Sequence, residues 1–246
     1  MSSRRPYTIK YFLAALAGLF MLSACGPRVD MSLSPEEIIA KTSERMQGLE
    51  GFSFLLDSTG AQAFLDEQHY YEFSQMEGDF TAPDRLQADI RIVTPGLVTD
   101  VKTICIGDQQ WETNFATGAW ILLPPNMSFD PMLLFNPETG VQSIANDLTD
   151  LKLEGLEELE TMPGQKLYLV TGQLEGRHLY DLSYGMMTDG KMTAKLWIDP
   201  ITFDLYRMEM TEQTGSPDGE KVWVIEFWNI NTTAEIQPPD MTTEQP

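Results

Sequence analysis

The sequence predicts an α+β, mainly β fold: one large antiparallel sheet that curls over a few helices. Three observations point there. From about Phe52 onward, apolar residues recur at a period of two in ten or more short runs, several of them separated by Gly, Pro, Asn or Asp clusters. Helical spacing is confined to the start of the chain and to its middle. No βαβ rhythm of about 30 residues interrupts the hairpin order. The length of 246 residues gives a prior of about 1.6 domains and equally allows one β-rich domain of 200 or more. The 42% hydrophobic share excludes global disorder.

The first 24 residues stand apart from this fold. Arg4, Arg5 and Lys10 precede Tyr11–Leu22, an uncharged apolar run of 12 residues. As a helix that run spans about 18 Å, short of the roughly 30 Å of a membrane core, and it fits the apolar region of a secretory signal. It ends in Leu22-Ser23-Ala24-Cys25-Gly26, which is similar to the bacterial lipobox. That resemblance implies a signal peptide over 1–24, cleavage between Ala24 and Cys25, and diacylglyceryl transfer to the Cys25 sulfur. N-acylation of the new terminus is an optional further step. Cysteine is required because a thiolate accepts the lipid. Two or three acyl chains suffice for stable anchoring. No other cofactor is expected.

Residues 25–33 are then the lipidated cysteine and a short tether, and 34–239 the folded domain. Ser34-Pro35-Glu36-Glu37 reads as a helix start, with Ser34 as cap and Glu37 at the capping-box position. Ile38, Thr42, Met46 and Leu49 follow on one face, and Gly48 and Gly51 end the helix. Strands are expected around Phe52–Leu56, Tyr70–Gly78, Leu86–Ile92, Val98–Ile106, Gln109–Phe115 and Trp120–Leu123. Asp130-Pro131 opens a short helical patch carrying Met132–Phe135, closed by Asn136-Pro137. Val141, Ile144, Ala145 and Leu148 recur as a second amphipathic helix. Strands resume at Leu151–Leu159, Lys166–Glu175, Met192–Asp199, Leu205–Glu212 and Lys221–Ile230. The polar end from Gln237 closes in a tail, with 240–246 expected to be disordered.

The chemistry-bearing residues are few. The chain holds 2 Cys and 2 His, leaving little for a metal site or a His-based catalytic array. Cys105 lies in an alternating run and reads as a small buried hydrophobe. His69 and His178 stand in no ligand spacing. Asp181-Leu182-Ser183-Tyr184-Gly185 resembles a nucleophile elbow except that Asp181 takes the first glycine position. The acidic run Glu154–Glu160 reads as a solvated edge. The net charge is −21; residues 1–24 hold three bases and no acid, so the rest, with 13 bases and 37 acids, carries −24. Such a surface offers no footprint for nucleic acid and is repelled by anionic headgroups. Of fourteen methionines, five (Met186, Met187, Met192, Met208 and Met210) cluster in the last third and serve either core filling or an adaptable binding surface.

The order of these elements resembles the LppX/LprG-type cell-envelope lipoproteins of the LolA/LolB-like superfamily. The matching pieces are Pro35-Glu36-Glu37-Ile38, Glu77-Gly78-Asp79 before Pro83-Asp84-Arg85-Leu86, and Thr117-Gly118-Ala119-Trp120 in a hairpin ending at Pro124. Phe129-Asp130-Pro131, Leu196-Trp197-Ile198-Asp199-Pro200 and Ile236-Gln237-Pro238-Pro239 complete the pattern. The resemblance implies a half-barrel around helices with an apolar cavity for acyl chains. It carries over no catalytic residue and no compact ligand motif. Lining residues are therefore taken from the apolar faces: Phe52, Phe54, Met132, Leu134, Phe135, Ile144, Trp197 and Trp223. The expected function is a non-enzymatic lipoprotein, exported and lipid-anchored to the outer face of the cytoplasmic membrane. It binds lipids or glycolipids in the cavity and carries or presents them, with an envelope transporter as a further candidate partner. The alternative is an interaction or regulatory module using the same fold to bind an envelope protein.

Overall fold

The computed structural model describes residues 29–66, 68–124, 131–136, 140, 144–183, 185–212 and 219–241. Ala24, Cys25, Asp130, Val141 and the last five residues, expected to be signal, lipid site, helix openings and tail, lie outside them. Contacts divide the chain into Met1–Ser32 and Leu33–Pro246, and the fold is that of the second unit.

Helix α1 spans Pro35–Gln47. The capping box forms: the Glu37 N–H donates to Ser34 Oγ at 3.2 Å, and the Ser34 N–H donates to Glu37 Oε2 at 2.8 Å. The helix buries Ile38, Ile39, Thr42, Ser43 and Met46 and ends at Gly48. The strands follow as β1 (Gly51–Gly60), β2 (Ala63–Phe64), β3 (Glu72–Thr81), β4 (Arg85–Thr94), β5 (Leu97–Ile106), β6 (Gln109–Thr113) and β7 (Trp120–Leu122). A 3-10 turn, Pro131–Phe135, forms the short helical patch expected there, and a second, Ala145–Asp147, follows Ile144, which is α-helical. Then come β8 (Thr149–Glu157), β9 (Leu167–Glu175), a six-residue α2 (Arg177–Leu182), β10 (Lys191–Ile198), β11 (Leu205–Glu212) and β12 (Lys221–Trp228).

These strands make one twelve-stranded, curled, open antiparallel sheet in the order β7-β6-β5-β4-β3-β1-β12-β11-β10-β9-β8, with β2 paired to β3. Two meanders thus meet where the first and last strands pair, Phe54 opposite Phe227 and Leu56 opposite Ile225. One side of the sheet takes the core. Contacts of α1 fall chiefly on β8 and on the turn Ala145–Asp147, and Pro131–Phe135 touches β4.

Several boundaries differ from the sequence reading, each for a local reason. Strand β3 starts at Glu72 rather than Tyr70 because the Asp66 carboxylate accepts from the backbone N–H groups of Tyr70 and Tyr71 and holds them in a turn. Strand β6 stops at Thr113 because the Asn114 side chain accepts from the N–H groups of Ala116 and Thr117. Strand β12 stops at Trp228, where Asn229 turns to a φ of 48°. Short α2 has no side-chain cap, which is why its start leaves no sequence signal.

Candidate functional site

Alternation along the strands sorts residues onto two faces. Register assembles the apolar face. Phe52 pairs with Phe80 and Phe54 with Gly78; on β4, Leu86 stands opposite Phe80 and Ala88 opposite Gly78. Gly78 and Ala88 make a low row between the bulkier Phe80–Leu86 and Met76–Ile90 rows. The approach there is tight: a Cβ on Gly78 would stand 2.1 Å from the Gln87 carbonyl oxygen. Beyond β12, the face continues through Trp223, Met210, Ala194 and Gly172.

Phe135, from the first 3-10 turn, is inserted among these side chains. Its ring centroid lies 4.4 Å from that of Phe54, 5.4 Å from Phe52 and 5.7 Å from Phe80. Phe227 adds an edge-on contact to Phe52 at 5.3 Å. Phe52, Phe54, Phe135, Ile144 and Trp223 are each at most 1% exposed. Exposed surface includes the wall of any void wide enough for water, so these five residues line no such void in this conformation. They are packed core. Met132 is half-buried, and the side chain of Leu134 lies outside the described ones.

Trp197 corrects the sequence reading. It sits between Leu196 and Ile198 on β10, both on the apolar face, and therefore points to the opposite side. There Arg207, 5.5 Å above the ring, covers it, and Arg207 pairs in turn with Glu226 and Glu209. Three consecutive buried residues on one strand hide the alternation that would have assigned the face.

One polar group missed by sequence reasoning is buried opposite Met192 on the neighbouring strand. Glu212 is 2% exposed; its carboxylate accepts from Trp223 Nε1 at 2.8 Å and from the Thr188 N–H at 3.2 Å. These two bonds compensate its desolvation and orient Trp223. Ser183, the centre of the near-elbow, is 1% exposed; its Oγ donates to the Tyr180 carbonyl and accepts from the Met187 N–H. The hydroxyl thus closes a turn after α2. His69 stacks on Phe64 at 4.2 Å, and the side chain of His178 lies outside the described ones.

A family model for LppX_LprAFG lipoproteins matches residues 34–236. The chain belongs to that family. Among solved structures, LprF from Mycobacterium bovis is similar at 16% identity, over 83% of this chain and 96% of that one, with a TM-score of 0.61. The lipoprotein LppX of Mycobacterium tuberculosis is similar at 17% identity, over 82% and 98% of the two chains, with a TM-score of 0.56. A LolA-superfamily protein from Nitrosomonas europaea aligns over 85% of this chain at 13% identity, with a TM-score of 0.28. Comparison with curated proteins finds no match. The LppX_LprAFG fold is thus carried here by a sheet whose apolar face is closed by Phe135.

Proposed function

We propose that this LppX_LprAFG lipoprotein takes an acyl chain of a lipid or glycolipid onto the apolar face of its sheet and carries or presents it in the cell envelope. It acts without catalysis and is held by the lipid on Cys25 at the outer face of the cytoplasmic membrane. One observation carries the reading: an aromatic side chain on a five-residue 3-10 turn fills the place over Phe52, Phe54 and Phe80. An acyl chain needs an apolar, non-directional surface, and this face supplies one. A chain of about 16 carbons brings roughly 12 kcal/mol of gross burial at about 0.8 kcal/mol per CH₂. Withdrawing one core Phe forfeits about 3–5 kcal/mol. That leaves roughly 7–9 kcal/mol to set against the cost of association, about 4–15 kcal/mol.

The test is lipid extraction and identification from purified Cys25→Ser protein. About one acyl lipid per chain should co-purify, and the variant should be soluble or unprocessed. Protein free of any lipid, or a variant still membrane-bound at mature size, would sink the reading.

A further inference from the structure

The face of the sheet opposite Phe52 and Phe54 carries a groove of about 650 Å³. That volume is inside the range of about 300–1,000 Å³ usual for ligand sites. It crosses β1, β3, β4 and β5, with Trp228 of β12 on one flank and Trp120 of β7 on the other. Six interstrand steps separate those flanks, at most about 29 Å at roughly 4.8 Å each. The groove is therefore long rather than round, and the two indoles are not walls of one small cage.

Its floor is polar and internally braced. Asn229 Nδ2 donates to Ser53 Oγ at 3.1 Å, and Ser53 Oγ donates to Asp79 Oδ1 at 2.6 Å. Gln87 Nε2 donates to Asp79 Oδ2 at 2.9 Å. Strand pairing fixes this chain of groups, since Ser53, Asp79 and Gln87 stand side by side on neighbouring strands. Each keeps further hydrogen-bonding capacity for a ligand: lone pairs on Asp79 and the amide oxygens of Gln87 and Asn229. The two cations of the lining are engaged, Arg91 with Asp100 at 3.0 Å and Lys102 with Asp89 at 3.2 Å. With four carboxylates along the groove against those two cations, an anionic ligand is disfavoured.

We infer that this groove binds a linear, uncharged oligosaccharide. Sugar rings have apolar faces that pack on flat indoles, as Trp120 and Trp228 present, and hydroxyl edges that donate to carboxylate and amide oxygens. A chain of rings also fits a long groove with an aromatic surface toward each flank. The site lies on the side of the sheet opposite the proposed acyl surface and does not depend on it.

The experiment titrates the full chain in detergent with maltohexaose, cellohexaose, α-1,6-mannohexaose and sulfated cellohexaose, read by tryptophan fluorescence and calorimetry. At least one of the neutral sugars should bind saturably below about 10 mM. Trp120→Ala and Trp228→Ala should each weaken it about tenfold, with Phe at either position retaining most of the affinity. Far-ultraviolet dichroism and thermal unfolding identify any variant that has failed to fold, and Gln87→Ala then serves as the independent probe. No saturable binding, binding indifferent to both tryptophans, or preference for a sulfated over a neutral oligosaccharide would overturn the inference.

Discussion

Replacing Phe135 by Ala separates a plug from a permanent core residue. The ring is 1% exposed and meets three other rings, the nearest at 4.4 Å. Core Phe→Ala substitutions cost about 3–5 kcal/mol, and each ring pair adds roughly 0.5–1.5 kcal/mol beyond its buried area. The three pairs share one ring, so the loss is expected near the upper end, about 5 kcal/mol. For a body of this size each kcal/mol lowers the melting temperature by about 2–4 °C, so lipid-free protein should melt roughly 10–20 °C earlier. A void left over Phe52, Phe54 and Phe80 is apolar and stays dry until an apolar ligand enters. Added palmitate should therefore raise the melting temperature of the variant more than that of the parent, because the parent must first withdraw its own ring. The assay is thermal unfolding by circular dichroism, with and without palmitate, on delipidated protein. A loss below about 1 kcal/mol would refute the packing. A full loss that palmitate restores no better in the variant than in the parent would refute the plug.

Three further outcomes follow from local geometry. Ser34→Ala removes one half of the capping box and should lower stability by about 1 kcal/mol in urea unfolding, with Ser34→Gly costing only a few tenths. Glu212→Leu leaves the buried Trp223 indole N–H without an acceptor, costing about 1–3 kcal/mol and changing the Trp223 environment in near-ultraviolet dichroism; Glu212→Gln keeps an acceptor and should rescue most of it. Asp66 is pulled two ways: desolvation raises its pKa, while the N–H groups of Tyr71, Tyr70 and Gln68 and the charge of His69 lower it and prevail, below the ordinary 3.8. A depressed carboxyl contributes stability above its ordinary pKa and loses it as pH falls through the folded value. Amide protection at Tyr70 and Tyr71 should thus hold at about pH 6 and fall away below about pH 4, and Asp66→Asn should abolish that dependence.

How much of this was legible in the sequence depended on the range of the interaction. Helix α1 was legible because Ser34, Pro35 and Glu37 meet their partners within three residues. Most strands were legible because a half-buried strand shows its own alternation, as Leu86-Gln87-Ala88-Asp89-Ile90 does. The pairing of β1 with β12 was not, since it joins residues such as Phe54 and Phe227 and is decided by the closing of both meanders. The run Met132–Phe135 announced burial, but not that Phe135 would land on Phe52, Phe54 and Phe80. Of Val141–Leu148, the described residues are Ile144, which is α-helical, the turn Ala145–Asp147 and Leu148, with Ile144, Ala145 and Leu148 buried.

The same alternation explains why one sheet can offer two unlike surfaces. Along β1, Phe52 and Phe54 point to the packed face while Ser53, between them, joins the polar groove. Neither surface could shift register without moving the other, because a slip of one residue would place Ser53 in the core and Phe52 and Phe54 in the groove. The register is therefore held from both sides: by the Phe cluster, and by the Asn229–Ser53–Asp79–Gln87 chain on the reverse. The proposed carriage of an acyl lipid requires the sheet to stay fixed while the cover changes. Bonds among side chains on the far face suit that need, since withdrawal of Phe135 leaves them intact.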